Sequence, residues 1–202
     1  MSAFSYHTIA SDAAGSYKEK GSRFLAFAYP VTSEDEIKER IAALKTQYYD
    51  ARHHCYAWIL GPEKKNFRAN DDGEPNHSAG DPILGQLRAK NVTNVLIVVV
   101  RYFGGIKLGV GGLIAAYRLA AEDSLRNATI VERQVCDRIV MNYPYASTPD
   151  VMRLVKEFDL RIISQEFEEG CSMEVELELR NKEKFDQKLS LLKQLGSQIE
   201  TH

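Results

Sequence analysis

Apolar and polar positions change their period several times along the chain, and each change predicts an element. Residues 7–10 and 22–31 are strand-like. With "SDAAGS" between them they predict a β-hairpin whose turn contains Gly15. Ser33 followed by Glu36 has the form of a capping box, and Ile37, Ile41, Leu44 and Tyr48 recur at helical spacing. "CYAWIL", 55–60, predicts a strand that stops at Gly61 and Pro62; residues 61–80 then read as a long polar loop. Asp81 and Pro82 have the character of an N-cap and a first helical position, opening a short helix to about Lys90. The β-branched run "VLIVVV", 95–100, predicts a strand buried on both faces. Leu113, Tyr117, Ala121 and Leu125 mark one face of a helix that ends at Asn127.

The rhythm then changes. "RIVMNY" predicts a strand, and Thr148-Pro149 opens a helix with Val151, Leu154, Val155 and Phe158 on one face. "LRIISQEF" predicts a second strand. In "CSMEVELELR", Cys171, Met173, Val175, Leu177 and Leu179 point one way and Glu174, Glu176 and Glu178 the other, the mark of a half-buried strand. Phe185, Leu189 and Leu192 lie on a last helix. The order is βαββα, with a further strand expected near residue 199, which is the ferredoxin-like pattern. A boundary near residues 131–137 divides the chain into 1–133 and 134–202, giving an α+β protein of two domains.

Composition narrows the function class. The chain has 202 residues, 44% hydrophobic and 27% charged, as in ordinary globular proteins. No run of 18 apolar residues suggests a membrane-spanning helix, and the N-terminus lacks a basic segment followed by an apolar core. The three cysteines, Cys55, Cys136 and Cys171, are odd in number and far apart. They predict reduced thiols in a cytoplasmic protein rather than a disulfide framework or a zinc site. Residues 1–133 hold 17 Lys+Arg against 15 Asp+Glu, and residues 134–202 hold 9 against 13. Neither part is basic enough to announce nucleic acid by charge alone, so such a contact needs a local patch.

One patch is offered by "RYFGGIKLGVGGLIAAY", 101–117, where Gly104, Gly105, Gly109, Gly111 and Gly112 separate a strand from a helix. A helix N-terminus has unpaired N–H groups and partial positive charge, and glycines let a ligand reach the backbone. Arg101 and Lys107 bracket the turn. The named nucleotide motifs are absent. Val110 and Gly111 stand where a Walker A motif needs Lys and Ser or Thr, and Ile114 stands where GxGxxG needs its third glycine. The competing reading is structural: tight turns, close packing and positive φ.

A second dense stretch is "NDDGEP", 70–75, with Asp71, Asp72 and Glu74. It can be read as a site for a hard cation, as a solvated turn, or as a loop ordered by pairing with Arg101 or Lys107. No EF-hand spacing is present, and no metal or other cofactor is expected. In "ARHHCYAW", 51–58, strand alternation puts His53 and Cys55 on one face and His54 on the other. His77 is a possible partner for His54 across the fold.

These stretches, with "KGSRF" at 20–24 and "NDDGEPNHSAGDPIL" at 70–84, resemble the IMPACT family in its bacterial YigZ-like form, over essentially the whole chain. The resemblance implies an N-terminal domain with the fold of ribosomal protein S5 domain 2 and a ferredoxin-like C-terminal domain similar to one in elongation factor G. It also implies a link to translational control. Eukaryotic members compete for the activator of a starvation-responsive initiation-factor kinase. Their extra N-terminal partner-binding domain is not expected here, so that role is not carried over. Two positions depart from the family's pattern. His77-Ser78-Ala79-Gly80 stands where G-T-A-G is usual, with Ser78 keeping a hydroxyl, and Ala115 replaces an arginine.

Two functions of different class follow. In the first, the glycine turn with Arg101 and Lys107 contacts phosphate of structured RNA or the ribosome, and Arg23, Arg52 and Arg118 extend the patch. A translation factor or regulatory protein is a further partner. In the second, Asp71, Asp72 and Glu74 hold a metal ion, the turn holds a phosphate, and His54 moves a proton. A third option is an interaction adaptor without catalysis. Binding is favoured over catalysis.

Overall fold

The computed structural model of the protein describes residues 4–167 and 170–202. Its elements are mixed α and β, and the chain divides into two compact units. One is Tyr6–Arg133; the other comprises Gln134–His202 with the N-terminal residues through Ser5.

The first unit is built on a five-stranded sheet. Its strands are β2 (Ala13–Glu19), β3 (Ser22–Pro30), β4 (His53–Leu60), β5 (Asn66–Asn70) and β6 (Val95–Tyr102), in the order β2-β3-β6-β4-β5. Every neighbouring pair is antiparallel. Strand β6 sits at the centre with Val95 to Arg101 buried, as its unbroken β-branched run predicts. One sheet face is covered by α2 (Gly80–Ala89) and α3 (Gly109–Arg126), around Phe24, Cys55, Ile83, Leu87, Leu113 and Tyr117. The other is covered by α1 (Glu34–Gln47), through Ile37 and Leu44 against Trp58, Leu96 and Val98. Ser33 caps α1 by accepting the Glu36 N–H at 3.2 Å. Burying one leucine of this kind contributes about 1.5–3 kcal/mol.

The hairpin differs from expectation. Strand β1 (Ser5–Ile9) pairs with β7 (Ile130–Gln134), not with β3. "SDAAGS" is no turn: most of it enters β2, which pairs with β3 from Ala13↔Ala28 to Glu19↔Ser22. The turn is Lys20 and Gly21, at φ 46° and 79°, the two-residue turn that suits strand twist. Gly15 is a strand residue because α3 lies against it. A Cβ there would fall 2.3 Å from the Ser124 backbone nitrogen. The polar stretch 61–80 also contains a strand, β5, whose residues lie at the sheet edge and are mostly exposed. Exposure removed the apolar alternation that would have announced it.

The second unit runs β8 (Cys136–Tyr143), α4 (Thr148–Glu157), β9 (Arg161–Phe167), β10 (Cys171–Glu178), α5 (Lys182–Gln194), β11 (Glu200–Thr201). The sheet order is β11-β8-β10-β9. Cys171, Met173, Val175 and Leu177 point into a core with Leu154, Phe185 and Leu189, as the alternation requires. Leu179 has left the strand and begins a short 3₁₀ turn.

Candidate functional site

The acidic loop is tied down by its own side chains. Asp71 Oδ1 accepts the N–H groups of Ala79 and Gly80 at 2.9 and 2.8 Å, and its Oδ2 accepts that of His77 at 2.9 Å. Asp71 therefore caps α2 from eight residues upstream. The N-cap position is Ala79, which cannot cap by side chain, and Asp81 instead contacts His77 Nδ1 at 2.6 Å. Burial pushes the Asp71 carboxyl up, but the three N–H donors outweigh it and hold it below the ordinary value. Asp72 Oδ2 accepts the His54 N–H at 2.7 Å, and Oδ1 lies 3.3 Å from Lys45 Nζ. Ser78 is buried and donates to the Pro75 carbonyl at 2.6 Å.

Glu74 has the most consequential partner. Its Oε1 lies 2.6 Å from Arg101 Nη1, both side chains being more than nine-tenths buried, and accepts the Tyr117 hydroxyl at 2.7 Å. Cys55 Sγ lies 3.3 Å from that hydroxyl and 3.0 Å from the Asp71 carbonyl. Burial pushes the Cys55 thiol and the Tyr117 phenol well up, so both stay protonated and act as hydrogen-bond partners, not nucleophiles. Two of the three readings of the loop meet here: Asp71 to Glu74 is a turn, closed by the Glu74 N–H on the Asp71 carbonyl at 2.9 Å, and it is ordered by the pairing of Glu74 with Arg101. Lys107 takes no part in it. Asp71, Asp72 and Glu74 turn oxygens toward backbone N–H, Lys45, Arg101 and Tyr117. Among the described residues no group of three or more His, Cys, Asp or Glu is placed to hold a metal ion.

The glycine turn behaves differently. Gly104 is required by packing: a Cβ there would lie 1.9 Å from the Gly21 carbonyl carbon, and its N–H donates to Ser22 Oγ at 3.1 Å. Gly105 and Gly109 have φ of 90° and 72°, with open space where a Cβ would be. A Cβ at Gly111 would also meet nothing, while one at Gly112 would touch Leu108. Helix α3 starts at Gly109 behind Leu108, with no side-chain cap and no acidic residue in its first turn. Its first N–H groups have no partner within the helix.

This helix end meets a cavity of about 830 Å³. Its wall includes Arg52, His53, Glu74, Arg101, Tyr102, Phe103, Lys107, Gly109, Val110 and Leu113. The size and the mixture of apolar wall with a few convergent polar groups suit a ligand site. Among the described residues neither Arg52 nor Lys107 has an ion-pair partner, and Arg101 Nε is buried without a hydrogen bond. Gly111 and Gly112 are not on the wall, and neither are Arg23 and Arg118.

His54 does not reach the cavity either. It is buried beside the end of α1, with Nε2 unpartnered. Burial lowers its pKa, Lys45 adds to this, and Asp72 opposes it. It does not pair with His77, whose side chain is exposed beside Asp81. The histidine on the cavity wall is His53, with Nδ1 2.9 Å from the Asp72 carbonyl. Sequence reasoning missed His53, Tyr102 and Phe103. The strand alternation separating His53 from His54 was the available signal for the first.

The family model of the Impact N-terminal domain matches residues 20–125, a span that holds the acidic loop, the cavity and the glycine turn. The chain therefore belongs to the IMPACT family. It is 31% identical to IMPACT family member YigZ of Escherichia coli K12 over 85% of each chain. It is 39% identical to IMPACT family member YvyE of Bacillus subtilis 168, over 65% of this chain and 60% of that protein. A solved crystal structure described as a hypothetical protein superposes with a TM-score of 0.77 at 29% identity, over 97% of this chain and 96% of the other.

Proposed function

We propose that the protein is a translation-associated regulatory protein that holds RNA phosphate, on the ribosome or another structured RNA, at the N-terminus of α3. The carrying observation is the cavity there, which brings Arg52, Arg101 and Lys107 to an uncapped helix end. Of the glycine-turn segment, Arg101, Lys107 and Gly109 contact the phosphate from the cavity wall, Gly104 shapes the turn from beneath, and Gly105, Gly111 and Gly112 flank the wall without lining it. His54, Asp71, Asp72, Glu74 and Ser78 position it. The resemblance to the IMPACT family supports the translational setting, a cytoplasmic location, and a translation factor or regulatory protein as a second partner. No helix among the described residues is long and apolar enough to cross a membrane.

The fold assignments belong with this reading. The strand order β11-β8-β10-β9 within a β-α-β-β-α-β chain supports a ferredoxin-like domain over 134–202. The family resemblance supports the S5 domain 2 fold over 1–133.

Sedimentation of cell lysate through sucrose tests the function. Wild-type protein co-migrates with ribosomes at low salt and less at moderate salt, because each neutralised phosphate releases counterions. Lys107→Ala co-migrates less at both. Failure to co-migrate at either salt overturns the reading.

A further inference from the structure

We infer that the cavity beside α3 takes one unpaired nucleotide of a single-stranded RNA segment, stacking its base on Phe103 while its phosphate meets Lys107 and the helix end. This rests on the phosphate-binding reading above and names the form of RNA it requires.

The observations come from the cavity's aromatic wall. Phe103 is 56% exposed although it directly follows the most buried strand of the sheet. It is not loose: the Arg101 guanidinium carbon lies 5.7 Å from its ring centroid, and Arg101 is fixed from behind by Glu74 at 2.6 Å. Val110 on the same wall is also exposed, so Phe103 is part of an apolar patch rather than a lone surface side chain, and such patches mark interaction sites. Tyr102 is held too, by its hydroxyl on Asp50 at 2.7 Å and by Arg23 at 5.0 Å from its ring. The cavity is about 830 Å³, ample for one nucleotide. The wall also holds Asp50 and Glu74, the latter paired with Arg101, so among the described residues its unpaired cations are Arg52 and Lys107. An aromatic platform beside such cations is a combination that binds single strands, since every base has a π-face. In duplex RNA the bases are stacked inside the helix, so only its phosphates could reach Lys107. The ion pair behind Phe103 also supplies a cation–π contact on one side of the ring, leaving the other to a base.

The test is fluorescence polarisation with a labelled mixed-sequence 12-nucleotide RNA and with a blunt duplex of the same sequence, each over a salt series. The wild type is expected to bind the single strand more tightly than the duplex, by about the contribution of one stacked base. Phe103→Ala should lose roughly 5- to 140-fold on the single strand, the range that about 1–3 kcal/mol for one stacking residue implies. It should leave duplex affinity and the salt slope unchanged, and Phe103→Tyr should restore single-strand binding. Lys107→Ala should weaken both RNAs and flatten both salt slopes. Circular dichroism confirms that each variant is folded, as expected for an exposed position. Equal binding of the two RNAs with Lys107 sensitivity intact overturns the unpaired-nucleotide inference alone. So does an equal loss on both RNAs in Phe103→Ala. No salt-dependent binding of either RNA overturns the phosphate reading and this inference together.

Discussion

The acidic loop and the glycine turn are the two densest stretches of the sequence, and they put their polar groups to opposite uses. In the loop almost every polar atom is spoken for. Asp71 holds three backbone N–H groups, Asp72 holds a strand N–H and a lysine, and Glu74 holds a buried arginine and a tyrosine. In the turn, donors are left over: an uncapped helix end, Lys107, and an Arg101 Nε without a partner. Charge that is fully paired builds a structure, while charge that is held in place but unpaired is available to a ligand. Arg101 belongs to both regions, which is how the loop comes to support the turn.

Substitutions can break this contrast, and the loop should give the larger stability effects. Glu74→Ala strands the buried Arg101 cation and should cost about 3–5 kcal/mol, read as a large fall in the urea midpoint. A loss under about 1 kcal/mol would mean that water reaches the guanidinium. Gly104→Ala drives a methyl into the Gly21 backbone and should cost about 1–3 kcal/mol. Acidification should act in two steps. His54, with its pKa depressed in the fold, must take up a proton on unfolding. Stability therefore falls as pH drops below about 6.5, the ordinary histidine value, until the lower folded pKa is passed. Asp71, also depressed, adds stability that is complete above about pH 4 and is lost as pH falls through its folded value. Thermal melts from pH 8 to pH 3 should show both windows, and His54→Gln should remove the first. The smallest effect belongs to the turn. Gly111→Ala, whose Cβ meets nothing, should raise stability by about 0.5 kcal/mol. A loss there would reveal a packing role for that glycine.

The elements with strong periodicity are legible in the sequence alone: α1 from its cap and apolar spacing, β6 from its β-branched run, β10 from its alternation. The misreadings have local causes. Gly15 looked like a turn residue because the helix that demands it, at Ser124, is more than a hundred positions away. Asp81 looked like the cap of α2 because the true donor-holder, Asp71, acts across a loop. Pairing of the loop with Arg101 was legible as one option among three. Its choice depended on β6 and the loop meeting at 27 residues' separation, which no short-range pattern encodes. His54 drew attention through its neighbours in sequence, but the pleat turned it under α1 and gave the cavity His53.

The contact between Gly104 and the turn at Lys20 and Gly21 bears on how the protein can be engineered. Hairpin tips are ordinarily the safest places to splice in a tag, a reporter or a new terminus. Here the tip lies flat against backbone that leads directly into the cavity. A graft between Lys20 and Ser22 would displace Gly104 and, through it, Phe103 and Lys107. The hairpin loop is therefore length-locked, and a fusion placed there would act as a mutation some 80 residues downstream.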